Sequence, residues 1–175
     1  MGRVVGEPRT NAVRVEVDLD GSARPGLRGS GIHGYVGHMD EGAARDRFVT
    51  ARSARLGTVG EGGVPHLVPI VFAVDGDALA FVVDHKPKRT TDLRRLRNIA
   101  GNERVCVLVD HYEDDWTRLW WARADGRALI VEDVGVRELW IDRLAARYGQ
   151  YRERRPDGPV VVISVERWQG WAYER

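Results

Sequence analysis

The chain has a single cysteine, Cys106, so no intrachain disulfide can form. Its 175 residues with 43% hydrophobic content are nonetheless enough to bury a core without one. No apolar stretch approaches the roughly 18 residues needed to cross a bilayer. The N-terminal residues hold no apolar signal-like run, so a cytoplasmic protein with no membrane partner is expected. An excess of one charge is missing too: Lys+Arg 27 stands against Asp+Glu 26, a net charge of +1. A general nucleic-acid binder needs a basic excess to neutralise phosphates, so no nucleic-acid partner is expected either. Lysine is scarce. Lys86 and Lys88 are the only two, and the other 25 of the 27 basic residues are arginine.

Familiar catalytic patterns are also lacking. There is no G-x-S-x-G, no Cys–His pairing and no P-loop, and His66, His85 and His111 are too widely spaced for a metal motif. No catalytic residue and no metal ligand is therefore assigned. Cys106, inside Val105-Cys106-Val107-Leu108-Val109, reads as a buried strand residue rather than a nucleophile. The acidic turn Glu113-Asp114-Asp115 beside His111 reads as a solvated loop.

Residues 1–38 are rich in glycine and poor in large apolar side chains, with only Val13 to Val17 alternating like a strand. They read as a flexible N-terminal extension, in which His33 and His38 are solvated, ahead of a domain over 39–175. Asp40 is placed to cap a helix carrying Ala44, Phe48, Val49 and Ala51. Ala54 to Val59, Val64 to Ala73 and Ala78 to Val83 read as strands joined by turns at Glu61-Gly62-Gly63 and Asp75-Gly76-Asp77. Such closely spaced strands imply an antiparallel meander rather than a Rossmann sheet. A helix over Thr91 to Ala100 carries Leu93, Leu96 and Ile99, and Glu103 to His111 is a fourth strand. Trp116 to Ala124 and Arg127 to Glu132 read as a hairpin around Asp125-Gly126. A helix over Val134 to Tyr148 has an apolar stripe of Val136, Leu139, Trp140 and Leu144. Arg154 to Gly158 reads as a loop, and Pro159 to Glu166 as the last strand. About seven strands and three helices suggest a small barrel with helices packed outside.

One segment has the makings of an anion site. His85-Lys86-Pro87-Lys88-Arg89-Thr90 joins a strand to a helix, where unpaired N–H groups and a partial positive charge favour phosphate. Lysine adds a compact charge, arginine a bidentate grip, and threonine a hydroxyl. A solvated basic loop is the equal alternative on spacing alone. Arg94, Arg95 and Arg97 extend the positive face, toward a second anionic group or toward pairs with Asp92 and Glu103. Six tryptophans invite a further reading. The adjacent Trp120 and Trp121 point to opposite faces of a strand, one into the core and one toward a subunit interface or a ligand.

The runs Ala54-Arg55-Leu56-Gly57-Thr58-Val59 and Gly63-Val64-Pro65-His66-Leu67-Val68-Pro69-Ile70 resemble the opening strands of the pyridoxamine 5'-phosphate oxidase-like split-barrel family. Asp84 to Thr90, Leu93 to Ile99, and Leu108-Val109-Asp110 with Asp115-Trp116 look like its deazaflavin-dependent branch. The resemblance covers Met39 to Trp171. It implies a mainly β fold with α, a split β-barrel of the FMN-binding type with flanking helices, assembled as a homodimer. It implies an oxidoreductase using coenzyme F420 to reduce a small organic acceptor. The alternatives are an FMN enzyme of the same fold, or a non-catalytic flavin- or haem-binding module. By the resemblance, His66, Leu67, Val68 and Pro69 flank the cofactor ring, and Lys86, Lys88, Arg89 and Thr90 hold its phosphate. Trp116 lines the site from the partner chain. In the register of shorter members, Arg95 is the phosphate ligand instead. Val64 to Val71 carries no Arg or Lys, and no basic tail follows Trp168-Gln169-Gly170. Both departures count against oxidation of a vitamin B6 phosphate.

Overall fold

The computed structural model describes residues 35–83 and 93–174. Within them eight strands form one antiparallel sheet, with four α-helices packed beside it. In chain order they are β1 (Tyr35–Met39), α1 (Glu41–Thr50), β2 (Ala54–Val59), β3 (Pro65–Ile70), β4 (Ala73–Asp75), β5 (Ala78–Val82), α2 (Arg94–Gly101), β6 (Arg104–His111), β7 (Trp120–Ile130), α3 (Val134–Arg147), α4 (Gly149–Glu153) and β8 (Val160–Glu174). The sheet order is β3-β2-β6-β7-β8-β5-β4, with β1 paired to the C-terminal half of β8. The sheet thus begins at Tyr35, inside the segment read as an extension. Residues 1–34 lie outside the described residues. No described helix is long and apolar enough to cross a membrane.

Local chemistry explains most elements. The Asp40 carboxylate accepts the Ala43 N–H at 2.7 Å and starts α1. Ala44 and Phe48 are buried, whereas Val49, one residue on, faces solvent. Alternation puts Ala54, Leu56 and Thr58 of β2 and Val105, Val107 and Val109 of β6 on the core face. Gly63 and Gly76 adopt φ of 71° and 57° in the two turns, a region that favours glycine.

Four elements depart from the sequence expectation, each for a physical reason. The run Val64 to Ala73 is broken at Val71-Phe72 into β3 and β4. There the Phe72 N–H donates to the Tyr148 hydroxyl at 3.1 Å, and that hydroxyl reaches the Phe72 carbonyl at 2.8 Å. A tyrosine replaces a neighbouring strand, so the ladder ends at β3 and β4 and the expected barrel is not closed. Asp125-Gly126 is not a turn. β7 runs straight through it, because β6 and β8 pair with both of its edges, and the irregularity is a bulge opposite Glu166. Gly126 is required by close approach: a Cβ there would lie 2.2 Å from the Ser164 carbonyl oxygen. β8 does not stop at Glu166 but continues through Trp168-Gln169-Gly170 to Glu174. Finally, the buried row of α3 is Trp140, Leu144 and the following Tyr148, with Ile141, while Val136 and Leu139 are exposed. Leu139 and Ile141 stand about 100° to either side of Trp140, and the sheet covers only the Ile141 side.

The core has two parts. Phe48, Leu56, Phe72, Phe81, Val107, Ile163 and Trp168 belong to the larger, and Phe48 meets Phe72 and Trp168 edge-on. Trp140, Ile141, Leu144, Tyr148 and Tyr151 pack against Ala80, Val82 and Val160 in the smaller. Tyr148 joins the two: its ring packs in the smaller part and its hydroxyl bonds Phe72 of the larger, with the Arg52 carbonyl oxygen 3.1 Å away. Replacing Tyr148 by Phe strands the Phe72 amide in a buried site, and should cost about 1–3 kcal/mol. The expected result is a lower urea midpoint with an unchanged slope.

Candidate functional site

β3 is an end strand of the sheet, paired only with β2. An end strand tolerates Pro65 and Pro69, which cannot donate to a ladder. Its alternation divides the expected ring-flanking residues between two faces. His66 and Val68 are half-buried on the side of Ile70, and Val68 packs on the main core. Leu67 and Pro69 lie on the outer face, where Leu67 is 66% exposed.

Beside them lies a cleft of about 490 Å³, lined by Gly57 to Val59, Pro65 to Leu67, Arg104 to Cys106, Asp125 and Gly126. Gly57 has no side chain to fill it, and a Cβ there would sit 2.8 Å from the Cys106 sulfur. Leu67 and Cys106 flank Gly57 across its two ladders and leave an apolar floor. Burial pushes the Cys106 thiol pKa up, and Asp125 adds to this against Arg123 and a hydrogen bond to Gly57. Cys106 is thus a neutral strand thiol, not a nucleophile. Neither Gly57 nor Cys106 was among the site residues read from the sequence. The available signal was a glycine in the middle of an alternating strand.

α2 packs against β2 on the core-facing side, where Asn98 meets Thr58. It begins at Arg94, and its N-cap Leu93 makes no side-chain capping bond. Asn98 and Ile99 are its buried residues, and Leu96 packs on the main core. The first turn carries arginines whose charge reaches His66. Burial, followed by the charges of Arg94 and Arg95, holds the His66 imidazole below the ordinary histidine range. The shift favours the neutral imidazole under the field of two cations. Of the expected residues, His66 and Leu67 are among those that line this cleft, while Arg95, with Arg94, lies in the first turn of α2, outside its lining. Lys86, Lys88, Arg89 and Thr90 lie outside the described residues, in the connection that leads into α2.

Trp116 is elsewhere. It sits on a 3₁₀ turn, Trp116–Arg118, beyond the far end of β6 from the cleft, and is 70% exposed. Asp115 fixes that turn by accepting the Thr117 N–H at 3.0 Å and its hydroxyl at 2.7 Å. The rest of the acidic turn is structural: Glu113 pairs with Arg118 at 2.9 Å and approaches His111 at 3.2 Å. His111 in turn stacks on Trp120, which also carries the Arg47 guanidinium at 4.5 Å. A larger cleft of about 680 Å³ lies between Ile99 to Arg104 and Arg127 to Ile130. Its charges are already paired. Arg127 bonds both Glu103 and Glu166, and Arg104 reaches Glu166 at 3.2 Å. The smaller, apolar cleft beside the His66 group is the better candidate.

Comparison with known proteins supplies the family. The model of the pyridoxamine 5'-phosphate oxidase family matches residues 40–172. A search of curated proteins finds no match. Among solved structures, an FAD-binding protein from Mesorhizobium loti superposes with a TM-score of 0.61 at 19% identity, covering 78% of this chain and 97% of its own. The heme storage protein HutZ from Vibrio cholerae gives 0.61 at 16% identity, covering 77% and 96%. A conserved hypothetical protein from Mycobacterium tuberculosis gives 0.61 at 22% identity, covering 77% and 85%. At these identities the superpositions establish the fold alone. With the family match spanning most of the described residues, the chain belongs to the pyridoxamine 5'-phosphate oxidase family.

Proposed function

We propose that this chain is a cytoplasmic oxidoreductase that binds a flavin-type cofactor, deazaflavin F420 first and FMN second, and reduces a small organic acceptor. The observation that carries this reading is an apolar, glycine-floored cleft whose lining includes His66, the residue that also feels the charges of Arg94 and Arg95. A planar ring needs the cleft, and an anionic cofactor tail needs the charges. The cleft volume, the missing Cβ at Gly57 and the lowered His66 pKa all fit such a molecule. When bound, F420 supplies hydride for an electron-poor acceptor such as a conjugated double bond. The protein's share is position and electrostatics. Arg94 and Arg95 neutralise phosphate, joined by Lys86, Lys88, Arg89 and Thr90 if the connection ahead of α2 supplies the grip. Leu67, with Pro69 beside it, excludes water from one side of the ring, and His66 offers a neutral hydrogen-bonding group. The same neutral imidazole favours a second reading, a carrier for flavin or haem, because only uncharged histidine ligates iron. Acceptor-dependent oxidation of the reduced cofactor separates enzyme from carrier.

A second copy of the chain completes the site in this reading. The outer sheet face carries half-buried Cys106, Leu108, Trp121 and Trp171 together with exposed Leu67. An apolar face of that kind on a small domain favours association. The exposed Trp116 would then line the partner's cleft.

Fluorescence titration tests the cofactor. F420 should bind, and Arg95→Ala should weaken it by roughly tenfold or more, the loss expected for one charge-assisted contact. Binding of FMN with none of F420 would overturn the first choice. The triple variant Lys86→Ala, Lys88→Ala, Arg89→Ala decides the phosphate register: full binding in it assigns the phosphate to α2. Sedimentation should give a two-chain mass, reduced to one chain by Trp121→Glu. For pH, the unfolded chain takes up a proton at the ordinary histidine value and the folded chain only below it. Stability from His66 is thus full above the ordinary value and declines as pH falls through the interval down to the folded value. His66→Gln should flatten that part of the stability–pH curve, and bound phosphate should raise the His66 midpoint.

A further inference from the structure

Thr58 and Asn98 are the buried polar residues of the described core, 2% and 7% exposed. They are bonded to each other. The Asn98 side-chain amide donates to the Thr58 hydroxyl oxygen at 3.0 Å, although the two lie 40 residues apart. The Thr58 hydroxyl reaches the His66 carbonyl oxygen at 3.5 Å, and His66 is its direct partner across the β2–β3 ladder. On its other side the Asn98 Oδ1 fills the space above Gly60, where a Cβ would be 2.7 Å away. The asparagine is thus enclosed by β2 and the turn that follows it.

A buried polar pair of this kind adds little stability over an apolar pair of the same shape, but it adds direction. An apolar contact lets a helix rotate or slide by a fraction of a turn, and a hydrogen bond with one geometry does not. Arg94 and Arg95 stand four and three residues before Asn98, on the same side of α2. The place where Asn98 meets Thr58 therefore sets the rotation of the turn that carries both guanidinium groups.

We propose that Asn98 is a positioning residue: through Thr58, the ladder partner of His66, it locks α2 in the rotation that keeps the charges of Arg94 and Arg95 on His66. Its functional meaning rests on the reading that these arginines take the cofactor's anionic group. The depressed His66 pKa is consistent with the placement, and the other charged residues lining the cleft with His66 are Arg104 and Asp125.

The test is the titration of the His66 ring protons by NMR in ligand-free protein. Arg94→Gln should raise the midpoint and so show that the probe reads the arginines. Thr58→Val should raise it toward the ordinary histidine range. Valine makes the surroundings more apolar, which by itself would lower the midpoint, so a rise reports displaced cations. Thr58→Ser keeps the hydroxyl and should keep the midpoint low. If Thr58→Val does not fold, Asn98→Leu, apolar and of similar size, carries the same readout. A wild-type midpoint in folded Thr58→Val or Asn98→Leu would overturn the proposal. In parallel, F420 and FMN binding should weaken about tenfold in Thr58→Val and stay unchanged in Thr58→Ser. Absence of binding to the wild-type protein would instead overturn the cofactor reading, and the His66 titration would still decide the role of Asn98.

Discussion

From Val161 to Ala172, β8 gives one edge to β7, while its other edge is shared by β5 and β1. A strand bonded on both edges satisfies its backbone groups only if its neighbours stay extended beside it. That demand reaches across the sheet. It keeps β7 straight through Asp125-Gly126, it holds β6 against β7, and through β6 it places β2 and β3. The candidate cleft lies across these strands, so its floor depends on the pairing of a strand that does not line it.

Arginine dominates the basic residues, yet much of it is used to tie the chain together. Arg147 donates to the Val49 and Ala51 carbonyls, and Arg52 donates to the Arg147 carbonyl. These bonds fasten the end of α3 to the loop between α1 and β2. Arg155 holds Glu138 and Asp142, and Arg127 holds Glu103 and Glu166. The planar, multi-donor guanidinium suits carbonyls and carboxylates alike. The near-neutral balance of the chain therefore conceals two uses of arginine. Among the described residues many arginines brace loops and helix ends, while the charges of Arg94 and Arg95 act on His66.

The elements legible in the sequence were those fixed by local chemistry: the Asp40 cap, the alternation in β2 and β6, and the glycine turns at Gly63 and Gly76. Those that were not legible depend on partners distant in sequence. A turn signal at Asp125-Gly126 is overridden by ladders on both sides. The break at Phe72 is set by Tyr148, 76 residues away. The site was half legible. His66 and Leu67 are among the residues that line the cleft, Arg95 lies in α2 outside that lining, and strand alternation separates His66 and Val68 from Leu67 and Pro69. Gly57 and Cys106 matter only as a pair facing each other across two strands, which no linear pattern shows. Trp116 belongs to the turn beyond the far end of β6, away from the cleft of its own chain.

The bulge at Asp125/Gly126 also resets the phase of β8. Before it, the main core receives the odd-numbered Val161, Ile163 and Val165, and after it the even-numbered Trp168, Gly170 and Ala172. Glu166 is the residue left over, and Arg127 and Arg104 hold its carboxylate at the surface. β8 is in effect two strands with opposite inside and outside, spliced by one unpaired residue. Without Glu166 the second half would turn over: Arg167 and Gln169 would face the core, and Trp168 would leave Phe48 for the outer face. One residue thus decides which side of the sheet is oil and which is available to a ligand or a second chain.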